Sequence, residues 1–188
     1  MKRVFAMAMA LAMLLALCAA AEEAGFVFRD GVTWGMTRDA VLAAEGNPGD
    51  AELQEYENQA FLQFDDAFFE DVEGDLNYIF VDDALVLCGY EFEPNGVDIK
   101  TVESKVTGIY GAPADSDPAA LTDLLSIVTS PDAIDDDAYY VAWQLADGTL
   151  VALTDNFGDI ELAFVDAVSI RAMADATISE PAPEIDVE

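Results

Sequence analysis

Carboxylates are the side chains this chain has in quantity for chemistry: 38 Asp and Glu stand against seven Lys and Arg, and there is no histidine. The missing imidazole removes Ser-His and Cys-His nucleophilic catalysis and every histidine metal site. Paired carboxylates hydrolyse glycosides when they flank a sugar-binding cleft. With so many carboxylates no pair stands out by spacing, so a carboxylate-based hydrolase is only an alternative and a non-enzyme is expected. Asp135-Asp136-Asp137 lacks the alternating ligands and the glycine of a calcium loop and reads as a solvated acidic loop. No glycine-rich phosphate loop follows a strand. No metal and no other cofactor is therefore expected. Cys88 lies in an apolar run and reads as a small buried hydrophobe rather than a nucleophile.

The formal charge of −31 opposes binding to nucleic acid or to an anionic membrane surface. Solubility, or adaptation to a salty environment, accounts for it without a dedicated basic partner. Residues 1–21 read as a secretory signal, with Lys2 and Arg3, an apolar run from Val4 to Leu17, and Ala19-Ala20-Ala21 as the cleavage site. An uncleaved membrane anchor, for which Val4 to Ala21 is about long enough, is one rival reading, and lipidation at Cys18 is a second, though a lipobox has a small residue where Leu17 stands. The mature chain holds five basic residues against 38 acidic ones, a formal charge of −33 (five minus 38). It contains no second membrane-length apolar run, and with Cys88 alone it forms no internal disulfide. The expected location is secreted or extracytoplasmic, in the cell envelope.

The elements that must position any site are written most completely between Phe28 and Pro48. Thr37 is a good N-cap, Asp39 suits the first turn, Met36 is placed to staple onto Val41, and Gly46 and Pro48 stop a helix over 38–45. The stretch 49–60 is ambiguous: Leu53, Tyr56 and Ala60 fit a helical face, whereas Phe61, Phe64, Phe68 and Phe69 favour extended structure. Leu76 to Val81 and Ala84 to Phe92 read as strands joined at Asp82-Asp83. A helix over 99–110 follows, with Asp98 as cap, Ile99, Val102, Val106 and Ile109 as its buried stripe, and Gly111 as its end. Asp117-Pro118 opens another, with Leu121, Leu124, Leu125 and Val128 in helical spacing. Strands are expected at Tyr139 to Ala146, Thr149 to Thr154 and Ile160 to Val165, the first two joined by Asp147-Gly148 as a type I′ turn.

Val41, Gly46, Pro48 and Asp50 are matched 65 residues later by Val106, Gly111, Pro113 and Asp115. Tyr78, Phe80, Asp82, Leu85 and Val86 map at the same offset onto Trp143, Leu145, Asp147, Leu150 and Val151. An internal duplication follows, and the expected fold class is α+β: two tandem units, each one or two helices packed on an antiparallel sheet. The units span 22–95 and 96–167, and residues 168–188 form an acidic, proline-containing tail expected to be disordered.

The run Gly35-Met36-Thr37-Arg38-Asp39-Ala40-Val41 through Gly46-Asn47-Pro48 resembles the helix-and-turn signature of small bacterial extracytoplasmic domains of the SmpA/OmlA lipoprotein type. As two such units the chain resembles the β-lactamase inhibitory protein fold, and it is similar to secreted proteins of gut Firmicutes with a Trp-Gly-Met-Ser/Thr motif. The resemblance implies an extracytoplasmic binding module. The inhibitory protein carries a disulfide in each repeat, which this mature chain lacks, so no contact residue is carried over.

Strict alternation about the two hairpins puts Tyr78, Phe80, Leu85 and Leu87, with Trp143, Leu145, Leu150 and Ala152, on the face toward the helices, joined by Ile160, Leu162 and Phe164. The opposite face then holds Asn77, Ile79, Val86, Cys88, Tyr90, Tyr140, Gln144, Thr149, Val151 and Glu161. Its mixture of polar, aliphatic and tyrosine residues suits an interface. Asn77, Ile79, Tyr90, Tyr140, Gln144, Thr149 and Glu161 are the candidate contacts with another extracytoplasmic protein, self-association being the competing use of that face. Trp34 reads as packing at the helix entry. The functional expectation is a secreted, non-catalytic protein-binding module, inhibitor-like or scaffold, with a structural envelope lipoprotein as a further alternative.

Overall fold

The computed structural model describes residues 25–46, 51–93, 96–114, 139–156 and 158–179. The expected signal sequence with Cys18, the helix expected from Asp117-Pro118, the loop expected at Asp135-Asp136-Asp137 and the end of the expected tail lie outside them.

Seven strands form one antiparallel sheet: β1 Glu52–Tyr56, β2 Gln59–Phe69, β3 Val72–Val81, β4 Ala84–Phe92, β5 Tyr139–Gln144, β6 Leu150–Asn156 and β7 Asp159–Val165, in the order β1-β2-β3-β4-β7-β6-β5. Among the described residues three short α-helices accompany it: α1 Arg38–Ala44, α2 Ile99–Tyr110 and α3 Ala167–Ser179. The expectation of two tandem α+β units is thereby corrected. β4 and β7 pair from Leu87↔Val165 to Phe92↔Ile160, so the strands of the two stretches join in one sheet. Val41, Tyr78 and Phe80 share a single core with Trp143, Leu162 and Phe164. Two separate small sheets would have an edge at each end; pairing β4 with β7 removes the two edges that would otherwise lie there and leaves those at β1 and β5.

α1, α2 and the N-terminal segment cover one face of this sheet, and α3 covers part of the other. Val41 of α1 and Val102 and Val106 of α2 enter the first core, whereas Ala167 and Ile170 of α3 pack with Ile79, Val86, Leu87, Ala152 and Val165. The helix ends follow the capping logic of the sequence. The Thr37 hydroxyl accepts from the Ala40 N–H (3.3 Å), Asp98 accepts from the Lys100 N–H (3.0 Å), and Gly111, at φ 86°, donates to Thr107 O (2.9 Å). Residues 168–179, expected to belong to a disordered tail, lie in a helix. Asp166 caps it through the Ser169 N–H (3.1 Å), and Ile170 anchors it to the sheet. No helix of the described residues is long and apolar enough to cross a membrane.

Two local irregularities decide which side chains face which way. Tyr78 pairs with Cys88 but Phe80 pairs with Leu85, so β4 carries a bulge at Val86 and Leu87 that inverts its alternation. Leu87 therefore moves to the α3 side, and Cys88 and Tyr90, expected on the open face, lie in the helix-side core. In the second hairpin Leu145 and Thr149 bracket three residues, with Leu145 N–H donating to Thr149 O (2.9 Å), Gly148 N–H to Leu145 O (3.1 Å), and Gly148 at φ 92°. This is a type I turn closed by a glycine bulge rather than the expected type I′ turn. The extra residue shifts the register to Trp143↔Val151 and Gln144↔Leu150. Val151 consequently joins Trp143 in the core, and Leu150 and Ala152 turn to the α3 side.

Close packing between β4 and β7 leaves no room at Gly89. A Cβ there would collide with Leu162 O and approach Ala163 Cα to 3.0 Å. Gly89→Ala should therefore destabilise the fold by about 2 kcal/mol, read as a lowered urea midpoint with an unchanged slope.

Candidate functional site

The register brings together five side chains in one line across the α3-side face, one from each of β3, β4, β7, β6 and β5. The pairs Asp75↔Glu91, Glu91↔Glu161, Glu161↔Thr154 and Thr154↔Tyr140 define it. Three carboxylates thus occupy facing positions on adjacent strands, where like charges repel. Glu91 and Glu161 are exposed and Asp75 is half-buried. α3 covers the neighbouring apolar part of the face around Ile79, Leu87 and Val165 and leaves this acidic part open.

The line has a polar border and a hollow at one end. Asn77, half-buried on β3, faces Gln63 and Gly89, and Gln63 Nε2 donates to Asp75 Oδ2 (3.3 Å). Beyond Asp75 a cavity of about 390 Å³ is lined by Asp66, Asp71, Glu73, Asp75 and Glu93 with Val72, Gly74, Gly96 and Val97. Lys105 from α2 pairs with Asp71 and holds that carboxyl below the usual carboxylate range. Among the described residues no group of three or more Cys, Asp or Glu side chains is arranged to hold a metal ion.

Desolvation and then the charges of Asp75, Asp159 and Glu93 hold the Glu91 carboxyl above its ordinary range. Desolvation, Glu91 and Asp159 do the same to Glu161. Because the folded state raises both values, the ionised carboxylates work against folding at neutral pH, and that penalty disappears as the pH falls to their unfolded value of about 4.3. The Glu91→Gln/Glu161→Gln double variant should be more stable than wild type by roughly 0.5–1 kcal/mol at pH 7, with the difference vanishing near pH 4 in paired urea titrations. Asp71 and Glu103, lowered by Lys105 and Lys100, are common to both proteins and cancel in the comparison.

Of the residues expected on this face, Asn77, Tyr140 and Glu161 stand in or beside the acidic line. Gln144 is exposed on the same face near the second hairpin, with Nε2 donating to Gly148 O (3.4 Å). Ile79 is on the correct face but beneath α3, as is Val86. Tyr90 is displaced to the opposite core by the β4 bulge. Thr149 is 1% exposed and accepts a hydrogen bond from Trp34 Nε1 (2.8 Å), so it serves to hold the N-terminal segment rather than an interface. Trp34 itself stacks on Phe26 at 4.7 Å, in line with its reading as packing at the helix entry. Asp75 and Glu91 were missed. Glu91 is the single charge between the first and last residues of an otherwise apolar β4, and that isolation is the signal that marks it.

A second cluster of titratable groups is internal. Tyr78 donates to the buried Glu45 carboxylate at the end of α1, which also meets Arg29 Nε at 3.4 Å. Burial and then Glu45 push the Tyr78 hydroxyl far above its ordinary range, and burial does the same to the Cys88 thiol. These groups clasp α1 and the N-terminal segment onto the sheet and present no nucleophile to solvent.

Comparisons with family models, with curated proteins and with solved structures return no match to this chain.

Proposed function

We propose that this chain is a secreted or cell-envelope, non-catalytic protein-binding module that engages a basic surface of an extracytoplasmic partner through the open acidic part of its α3-side face. The observation that carries the reading is the alignment of Asp75, Glu91 and Glu161 on three adjacent strands, a mutually repelling set that a cationic partner relieves. Tyr140, Asn77 and Gln63 border it with hydrogen-bonding groups while Thr154 lies buried in the line, and the neighbouring hollow offers a recess for a basic side chain.

Capture of extracytoplasmic proteins on immobilised wild type and Glu161→Lys tests the reading. Glu161 is exposed, so its replacement leaves the near-ultraviolet circular dichroism unchanged. The expected result is a partner held at physiological salt, released as salt screens the contact, and bound at least tenfold more weakly by Glu161→Lys. Equal retention by both proteins would refute the proposal.

A further inference from the structure

The two ends of the sheet are finished differently. At the β5 edge, Ala114 forms a bridge to Ala142, its N–H donating to Ala142 O (2.8 Å). At the other edge, β1 is exposed at all five residues, and no strand among the described residues pairs with its outer side. β1 stops at the Glu52↔Gln63 pair, while β2 runs on to Phe69 past a register shift between Phe64 and Ala67. Three of the large apolar side chains exposed among the described residues border this edge: Leu53 (45%), Tyr56 (62%) and Phe68 (53%). An open edge with apolar side chains beside it is a template for strand addition.

Charge selects the occupant. Glu52, Glu55, Glu57, Asp65 and Asp66 border the edge, and Arg38 meets Glu55. A second copy would bring two chains of charge −31 together. The chain's own segments 115–138 and 180–188 contain acidic residues and no basic ones, and Lys2 and Arg3 of the first stretch fall in the expected secretory signal. We infer that β1 accepts an extended, basic segment of another protein as an eighth antiparallel strand. Backbone hydrogen bonds supply the pairing; on the face of β1 that carries Glu52 and Tyr56 the Lys or Arg side chains meet the Glu52 carboxylate, and on the opposite face, which carries Leu53 and Glu55, the intervening apolar side chains lie against Leu53. This surface is separate from the acidic line and goes beyond the function proposed from it.

The test uses the full chain and a capped heptapeptide, Val-Lys-Val-Lys-Val-Lys-Val, with a second peptide of identical sequence and charge methylated at alternate backbone nitrogens. The unmodified peptide should slow hydrogen exchange at least tenfold at the outward amides within Glu52–Tyr56. The methylated peptide, unable to complete the ladder, should bind at least tenfold more weakly, and the Glu52→Gln/Glu55→Gln variant should bind the unmodified peptide several-fold more weakly. Equal binding of the two peptides would overturn strand addition in favour of charge alone. Protection of β1 that rises with protein concentration without peptide would replace the basic segment by a second copy. No binding at millimolar peptide would overturn the inference altogether.

Discussion

Tyr90→Asp should leave the protein largely unfolded at 25 °C. Tyr90 is 4% exposed, opposite Leu76 and Leu162, with its ring 5.6 Å from Phe69, 5.8 Å from Phe28 and 6.1 Å from Phe92. Replacement removes an aromatic side chain from a packed core together with the hydrogen bond between its hydroxyl and Arg29, and places a shorter carboxylate there, while Arg29 is shared with Glu45. The combined cost is about 5 kcal/mol or more, comparable with the whole stability of a domain of this size. Loss of near-ultraviolet circular dichroism and of a cooperative urea transition checks it. Had β4 alternated without a bulge, Tyr90 would lie on the open face and the same substitution would be tolerated; a cooperatively folded Tyr90→Asp would reinstate that register. The adjacent pair Glu91 and Glu161 supplies the contrast: both are exposed, and charge reversal there should leave the fold intact.

Trp143→Ala should cost about 4 kcal/mol. Trp143 is 1% exposed, faces Val151 across the second hairpin, and donates from Nε1 to Gly111 O at the end of α2 (3.0 Å). Alanine leaves a large cavity and strands the Gly111 carbonyl. Trp143→Phe keeps most of the ring contact and loses chiefly the hydrogen bond, about 1 kcal/mol. Urea midpoints for the two variants separate packing from the hydrogen bond.

Local features of the fold were readable because their causes are local. Thr37, Asp98, Gly46 and Gly111 announce helix ends by side-chain chemistry and glycine's freedom at positive φ, and the hairpin β3–β4 follows from apolar runs around Asp82-Asp83, both of which take positive φ. What escaped is set by pairing at a distance. Nothing in the residues of β4 states that its outer neighbour is β7, with partners such as Phe92 and Ile160 or Leu87 and Val165 far apart in the chain, and that pairing makes one sheet of two stretches. The bulge at Val86 and the three-residue turn before Thr149 each add one residue, and each extra residue inverts every side chain beyond it. The 65-residue offset aligned the two hairpins in sequence, yet Phe80↔Leu85 has no counterpart in Leu145↔Leu150, because Leu150 pairs with Gln144.

The same reasoning explains which part of the candidate site was visible. Asn77 lies on β3, before the β4 bulge, and Tyr140 is on β5, whose alternation the β5–β6 turn leaves unchanged, so simple alternation placed both on the α3-side face. Glu161 is reached through β7, whose own alternation is regular. Thr149 stands at the irregular turn and Tyr90 beyond the bulge, and both were displaced from the expected face. Asp75 and Glu91 acquire their meaning only when β3, β4 and β7 lie side by side.

Carboxyl footprinting of the complex with its captured partner tests the central claim most directly. Water-soluble carbodiimide labelling read by mass spectrometry should show Asp75, Glu91 and Glu161 protected at least several-fold on binding, with Asp82 and Asp83 at the far end of the sheet unchanged. Undiminished labelling of those three carboxylates in a saturated complex, or equal protection of acidic residues over the whole surface, would contradict recognition through the open acidic face.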